Sequence, residues 1–387
     1  MVTAASGTGR GGQAQGRAIP SSVVAVVVGL AVAAVGPALA PTISPGVILA
    51  IVLPGLVFEA AFRTELSILR PAAAGVLLLA IPGVVVVAVV VAVLLALTTS
   101  LSTAEGFVVG AMVAATDPAA VLSTFRRVRV PERLATTVEM ESLVNDGTGI
   151  VLFGLALAWL AGGGGSLGGS IAAFVLILIG STTIGLVAGW IAVLAARRID
   201  SPVLEVALTG LLAYGTYLAA TAVGQSGVIA TLVAASVFGA GARRSLTART
   251  TDAIDVIWEV VAFGLTIGVF VLVGLSIALP SLVHAAGPIA SGVVAILVAR
   301  ALVVYGVLGG ASQLARRPIP SSWLHVLFWA GLRGAVSVAL ALSLPADLPN
   351  RDLLQAITFG VVLFTLLVQG TTATWLVRRV GASTAAG

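Results

Sequence analysis

From residue 21 to residue 377 the chain is a succession of apolar runs, most of which reach or approach the roughly 20 residues that span the hydrocarbon core of a bilayer. The runs cover 21–41, 45–62, 73–98, 105–123, 134–160, 170–196, 203–221, 226–242, 254–279, 287–312, 321–345 and 353–377, so about twelve transmembrane helices are expected. None alternates apolar and polar residues with a period of two, which argues against a β-barrel and leaves helices to satisfy the backbone in lipid. With 59% hydrophobic and 9% charged residues, the composition also lies far from that of soluble domains. The expected fold class is an all-α polytopic membrane protein, with residues 21–380 as one transmembrane domain.

All 20 basic residues are arginines, and their placement tests the span count, because cytoplasmic loops collect positive charge. If the N-terminus is inside, the cytoplasmic segments hold Arg10, Arg17, Arg63, Arg70, Arg126, Arg127, Arg129, Arg133, Arg197, Arg198, Arg243, Arg244, Arg249, Arg316, Arg317, Arg378 and Arg379. Only Arg351 falls outside, while Arg300 and Arg333 lie within spans. Both termini are therefore expected in the cytoplasm, with the protein in the inner membrane and lipid as its surroundings. The net charge of +5 is dispersed among short loops, which are orientation signals and not a nucleic-acid surface.

Residues 1–20 lack apolar periodicity and read as a disordered cytoplasmic tail. A cleaved leader ending at Ala38-Leu39-Ala40 is the rival reading, disfavoured because the apolar stretch before it is long for such a leader. Gly162 to Ser166 reads as a flexible external connection. The chain has no cysteine, which excludes disulfides and thiolate metal sites, and His284 and His325 sit in no ligand cluster. No cofactor is implied.

An ionisable residue at the centre of a membrane helix costs at least roughly 2.5–3.5 kcal/mol, so those present usually mark an ion path. Asp117, Asp146, Arg300 and Arg333 fall near the midpoints of four different spans, and Glu141 lies one turn away from Asp146. In the fifth span, i, i+4 spacing stacks Glu141 with Asn145 and Ser142 with Asp146 on adjoining strips. In the fourth, Thr116-Asp117-Pro118 lies mid-span, where proline removes an amide donor and disfavours helix at the residue before it, so the helix is expected to break there. The eleventh carries Gly331-Leu332-Arg333-Gly334, where glycines around an arginine suggest close packing or a second interruption. Spans 4 and 11 are an odd number apart and run in opposite directions, as expected for inverted repeats whose two discontinuous helices cross at a binding site. Three carboxylates and two arginines leave one negative charge uncompensated. With Glu141 paired to Arg333, and Asp117 held by a helix end or by Arg300, Asp146 is the free carboxylate.

These residues carry a resemblance. Glu141-Ser142-Leu143-Val144-Asn145-Asp146, Thr116-Asp117-Pro118 and Gly331-Leu332-Arg333-Gly334-Ala335-Val336 are similar to motifs of the NhaP-type sodium/proton antiporters, relatives of the eukaryotic sodium/proton exchangers. Phe58-Glu59-Ala60-Ala61-Phe62, Ser226-Gly227-Val228, Phe270 to Leu275 and Arg300 to Tyr305 add to it, so that it covers roughly residues 20 to 380. The resemblance implies that Asp146 binds the cation with Ser142, Glu141 and the Thr116 backbone contributing, and that Asn145 and Arg333 hold Glu141. It further implies that Asp117 partners the broken helix, and that Arg300 stands where electrogenic relatives tend to carry lysine. Asn145 occupies a position where those relatives usually have a second aspartate, which looks like the electroneutral branch. A homodimer is implied too, although members of this branch commonly have a further N-terminal helix in the dimer interface that has no counterpart here.

The expected activity is exchange of a monovalent cation for a proton. Sodium is the first expectation, with lithium and potassium left open by generic oxygen ligands. Asp146 holds one or the other, never both, in a site that faces alternate sides of the membrane. Glu59, Glu139, Glu205 and Glu259 fall near the cytoplasmic ends of their spans. They either draw cations inward or form ordinary interfacial pairs with arginines, the latter favoured for Glu205. A proton-uncoupled cation channel is the alternative, opposed by midplane arginines and the lack of a repeated filter. An intramembrane aspartyl protease is opposed by those same arginines, which would suppress a shared-proton dyad, and H-E-x-x-H is missing. The protein is read as a transporter, not an enzyme.

Overall fold

The structure is a computed structural model that describes residues 21–35, 45–64, 66–128, 130–163, 166–199, 201–242, 246–276, 279–316 and 318–380. The expected tail at 1–20, the end of the first span, Ala38-Leu39-Ala40, and Gly164 and Gly165 of the glycine-rich connection lie outside the described residues.

Among the described residues every regular element is helical. In chain order these are α1 (Ser21–Val35), α2 (Pro45–Arg63), α3 (Leu66–Ala80), α4 (Pro82–Thr98), α5 (Thr103–Ala114), α6 (Ala119–Val128), α7 (Glu132–Ala158), α8 (Leu167–Ala196), α9 (Pro202–Gly210) and α10 (Thr216–Ala222). There follow α11 (Gly227–Ala242), α12 (Ala248–Ser276), α13 (Leu279–His284), α14 (Ala286–Ala301), α15 (Gly310–Leu314), α16 (Ser321–Trp329), α17 (Ala335–Leu342), α18 (Arg351–Phe364) and α19 (Thr371–Arg379). Wider π-type turns at Leu211–Gly215, Leu302–Gly309 and Thr365–Gly370 join α9 to α10, α14 to α15 and α18 to α19 without ending the helix.

Seven helical stretches among the described residues are long and apolar enough to cross a membrane, namely Pro71–Thr98, Glu132–Gly162, Gly168–Ala196, Pro202–Ala222, Thr250–Ser276, Ala286–Leu314 and Arg351–Arg379. Two expected spans are not continuous. The fourth divides into α5 and α6 and the eleventh into α16 and α17, each with a stretch of non-helical backbone between the halves. A further bend, unanticipated within the span drawn at 73–98, separates α3 from α4 at Ile81, where Pro82 supplies no amide donor; the Thr148 hydroxyl reaches across from α7 to the Ala80 carbonyl at 2.5 Å.

Small residues let these helices pack closely, since apolar side chains gain little by leaving lipid for one another. On α5, Gly106 and Gly110 lie against Ala92 and Ala88 of α4, so near that a Cβ on either would fall 2.8 Å or less from a carbonyl oxygen. The start of α5 is fixed by a reciprocal cap: the Glu105 amide donates to the Ser102 hydroxyl at 3.3 Å and the Ser102 amide to the Glu105 carboxylate at 2.7 Å. Asn350 ties this cap to the start of α18 through a 2.7 Å bond to Glu105. The result is a firmly held α5 that ends at Ala114, at the first break.

Candidate ion-binding site

Pro118 cannot donate, and residues 115–118 leave the helix, so carbonyls that would have been used inside α5 must find other partners. They find side chains. Arg333 Nη1 donates to the carbonyls of Ala114 at 2.6 Å and Ala115 at 3.0 Å. The Thr116 amide donates to Asn145 Oδ1 at 3.0 Å, and Asn145 Nδ2 donates back to the Thr116 hydroxyl at 2.7 Å. The Ser142 hydroxyl donates to the Thr116 carbonyl. One helical face of α7 thus closes the first break, as the i, i+4 strips of Ser142 and Asn145 allow.

The second break, at Ala330 to Gly334, meets the first directly, since the Asp117 amide donates to the Leu332 carbonyl at 2.8 Å. The Arg333 amide is taken by the Thr365 hydroxyl at 3.0 Å, in the π-type turn that follows α18. Gly334 has to be glycine for a spatial reason: a Cβ there would be driven into the Asp117 carboxylate. Each interruption therefore serves as a partner for the other.

Glu141, 2% exposed, forms a bidentate ion pair with Arg300: Nη1 faces Oε1 and Nη2 lies 3.0 Å from Oε2, while Nη2 also donates to the Leu327 carbonyl at 2.8 Å. This corrects the expected pairing of Glu141 with Asn145 and Arg333. The guanidinium of Arg333 is committed to carbonyls that the break sets free, Asn145 is committed to Thr116, and Arg300 on α14 is the cation that reaches Glu141. Gly331 makes room for it, because a Cβ there would lie 2.9 Å from Arg300 Nε.

Asp146 is different. Its Oδ1 is buried and has no hydrogen-bond partner among the described residues. It lines a cavity of about 760 Å³ together with Thr116, Asp117 and Ser142, and the cavity extends to Glu59 and Arg63 at the end of α2, Glu139 on α7 and Glu259 on α12. There Arg63 bonds Glu59 at 2.8 Å and Glu259 at 3.2 Å, whereas Glu205 lies elsewhere and, contrary to expectation, makes no ion pair with any described arginine. Sequence reasoning missed Ser337. Its buried hydroxyl, also without a partner among the described residues, lines the same cavity one turn beyond Gly334. The only signal was a hydroxyl in an apolar run just after the second break.

A carboxylate oxygen with nothing to bond, beside hydroxyls and a non-helical backbone, is a hard-oxygen environment suited to a proton or an alkali cation. Apolar helices, two touching breaks and a buried carboxylate at their junction together define a helical membrane transporter of the discontinuous-helix type. The transmembrane sodium/hydrogen exchanger family matches residues 2–379. The chain belongs to that family. It is 35% identical over 339 residues to the Na(+)/H(+) antiporter NhaH of Halobacillus dabanensis, covering 86% of this chain and 83% of that protein. It is 36% identical over 345 residues to the Na(+)/H(+) antiporter NhaP of Pseudomonas aeruginosa, with 86% and 81% covered. With ApNhaP of Aphanothece halophytica it shares 39% identity over 340 residues, and there it spans 65% of the relative's length. The fold is similar to that of the sodium proton antiporter MjNhaP1 from Methanocaldococcus jannaschii, at a TM-score of 0.76 and 22% identity, covering 93% of this chain and 92% of that one. The resemblance read from the motifs is thus borne out at the level of family and fold.

Proposed function

We propose that the protein exchanges a monovalent cation, with sodium first, for a proton across the inner membrane, and that both compete for Asp146. The observation that carries this reading is the buried Oδ1 of Asp146, which has no hydrogen-bond partner among the described residues and lines a cavity of about 760 Å³. Thr116 and Ser142 stand beside it as ligands, and Ser337 joins them. Asn145 holds α7 against the first break, the Glu141–Arg300 pair ties α7 to α14, Arg333 holds the freed carbonyls, and Asp117 links the breaks.

In this reading the chain forms twelve transmembrane helices over residues 21–380, with both termini in the cytoplasm and the cavity end at Glu59, Arg63, Glu139 and Glu259 facing inward. The two broken helices, α5–α6 and α16–α17, cross as the counterparts of an inverted repeat. Proton and cation exclude each other from one carboxylate, so one cation moves per proton and exchange is electroneutral. A homodimer is the expected assembly, and pH and sodium homeostasis the expected service to the cell.

The test uses purified protein in liposomes with an imposed pH gradient, followed by a pH-sensitive dye as sodium, lithium or potassium is added, beside Asp146→Asn. Wild type should collapse the gradient without generating a membrane potential, and the variant should not. A variant that matches wild type removes Asp146 from the mechanism, and current without proton coupling would favour a channel.

A further inference from the structure

A serine inside an apolar helix normally satisfies its own hydroxyl by bonding a carbonyl three or four residues back. Ser181, Ser236, Ser276 and Ser343 all do so, at 2.6, 2.9, 2.7 and 2.7 Å. Ser337 does not. It lies on α17 just beyond the second break, is 0% exposed, and its hydroxyl has no partner among the described residues. It nevertheless borders the cavity of about 760 Å³ that Asp146 lines. A buried polar group without a partner costs free energy, so a ligand that supplies one is favoured there.

The other oxygens around Asp146 are differently disposed. The Ser142 hydroxyl gives its hydrogen to the Thr116 carbonyl, which leaves its oxygen with lone pairs and no hydrogen to donate. The Thr116 hydroxyl already accepts from Asn145 Nδ2. Asp146 and Ser142 both belong to α7, whereas Ser337 comes from the helix that follows the other break. Two buried oxygens without partners among the described residues, Asp146 Oδ1 and Ser337 Oγ, thus border one cavity from separate elements. An alkali cation can take lone pairs from both, while a proton needs only the carboxylate.

Preference among cations of one charge is a matter of ligand number and field strength. A carboxylate alone is a strong-field site that favours the smallest ion, and each neutral oxygen added moves the preference toward larger ones. We infer, resting on the reading of Asp146 as the exchanging carboxylate, that Ser337 sets the cation preference of the site. It supplies the neutral oxygen, from the second broken helix, that makes sodium competitive with lithium.

The experiment is exchange in liposomes by wild type, Ser337→Ala, Ser337→Cys and Asp146→Asn, with half-maximal sodium and lithium concentrations read at an alkaline pH where protons compete least. Alanine removes the oxygen and leaves its space, whereas cysteine fills that space with a soft sulfur, a poor ligand for a hard cation. Both should raise the half-maximal sodium concentration about fivefold, the loss of one ordinary polar contact, and the lithium value about twofold at most. The thermal midpoint without sodium should not fall in Ser337→Ala, since no hydrogen bond is lost, and its rise on adding sodium should be smaller than in wild type. An unchanged lithium-to-sodium ratio in both serine variants, with Asp146→Asn inactive, would overturn the role of Ser337 and leave Asp146 in place. Opposite effects of alanine and cysteine, or a sodium-free midpoint that falls in Ser337→Ala, would mark Ser337 as a packing residue and overturn that role too. If Asp146→Asn exchanges like wild type, Asp146 itself is misassigned and the role of Ser337 falls with it.

Discussion

The ion pair between Glu141 and Arg300 gives the sharpest handle on how the site is held. Both partners are buried, at 2% and 5% exposure, and three contacts bind Arg300: two to the Glu141 carboxylate and one to the Leu327 carbonyl. Removing one member of such a pair strands the other in a low dielectric, at a cost of about 3–5 kcal/mol. Arg300→Met leaves Glu141 charged and unpaired; Glu141→Leu leaves Arg300 with the Leu327 carbonyl alone. Replacing both with apolar residues removes the stranded charge, so the double variant should cost less than either single one, and the coupling should be about 3 kcal/mol or more. The same cycle run with Glu141→Leu and Arg333→Met should be additive within about 1 kcal/mol, because Arg333 bonds the Ala114 and Ala115 carbonyls instead. The assay is unfolding of purified protein in mixed micelles by titrated dodecyl sulfate, read by tryptophan fluorescence. A larger coupling to Arg333 than to Arg300 would refute this account of the site.

Asn145→Ala should destabilise the protein by about 1–3 kcal/mol, because it leaves the buried Thr116 amide without its acceptor, and the same titration measures it. Gly334→Ala should cost a further class of about 1–3 kcal/mol by forcing a methyl group against Asp117, with exchange in liposomes falling alongside; wild-type stability and rate would contradict the close approach. Ser142→Ala should raise the cation concentration for half-maximal exchange while the protein still folds, since the hydroxyl both lines the cavity and holds the Thr116 carbonyl.

What the sequence made legible and what it did not divide along a physical line. Hydrophobic length is local, so α7, α8, α12 and α14 lie close to where the apolar runs put them. The breaks were legible because their causes are local as well: Pro118 has no amide hydrogen, and Gly331 and Gly334 bracket a charged residue. Proximity was legible in part, since similar distances into their spans anticipated that Asp117, Asp146, Arg300 and Arg333 would gather around the two breaks. Pairing was not. Which of two arginines at the same depth reaches Glu141 depends on how α14 and α16 pack against α7 across 159 residues of chain, and no local pattern carries that information. Ser337 was passed over because a lone hydroxyl in an apolar helix normally bonds its own preceding turn, which this one does not do. The bend at Ile81 did carry a signal, Pro82, which the continuous hydrophobicity around it outweighed. For Glu205, the nearby arginines suggested an ordinary surface pair, whereas the residue lines a cavity between α8, α9 and α12 and pairs with no described arginine.

Competition of proton and cation for one carboxylate is tested most directly by the pH dependence of exchange in liposomes, with sodium varied at each of several pH values on the acidic side of the activity range. If Asp146 holds one or the other, the apparent KM for sodium should rise about tenfold for each unit the pH is lowered there, with the maximal rate unchanged. An apparent KM that stays constant while the maximal rate falls would place the proton on a different group and contradict exclusion at Asp146.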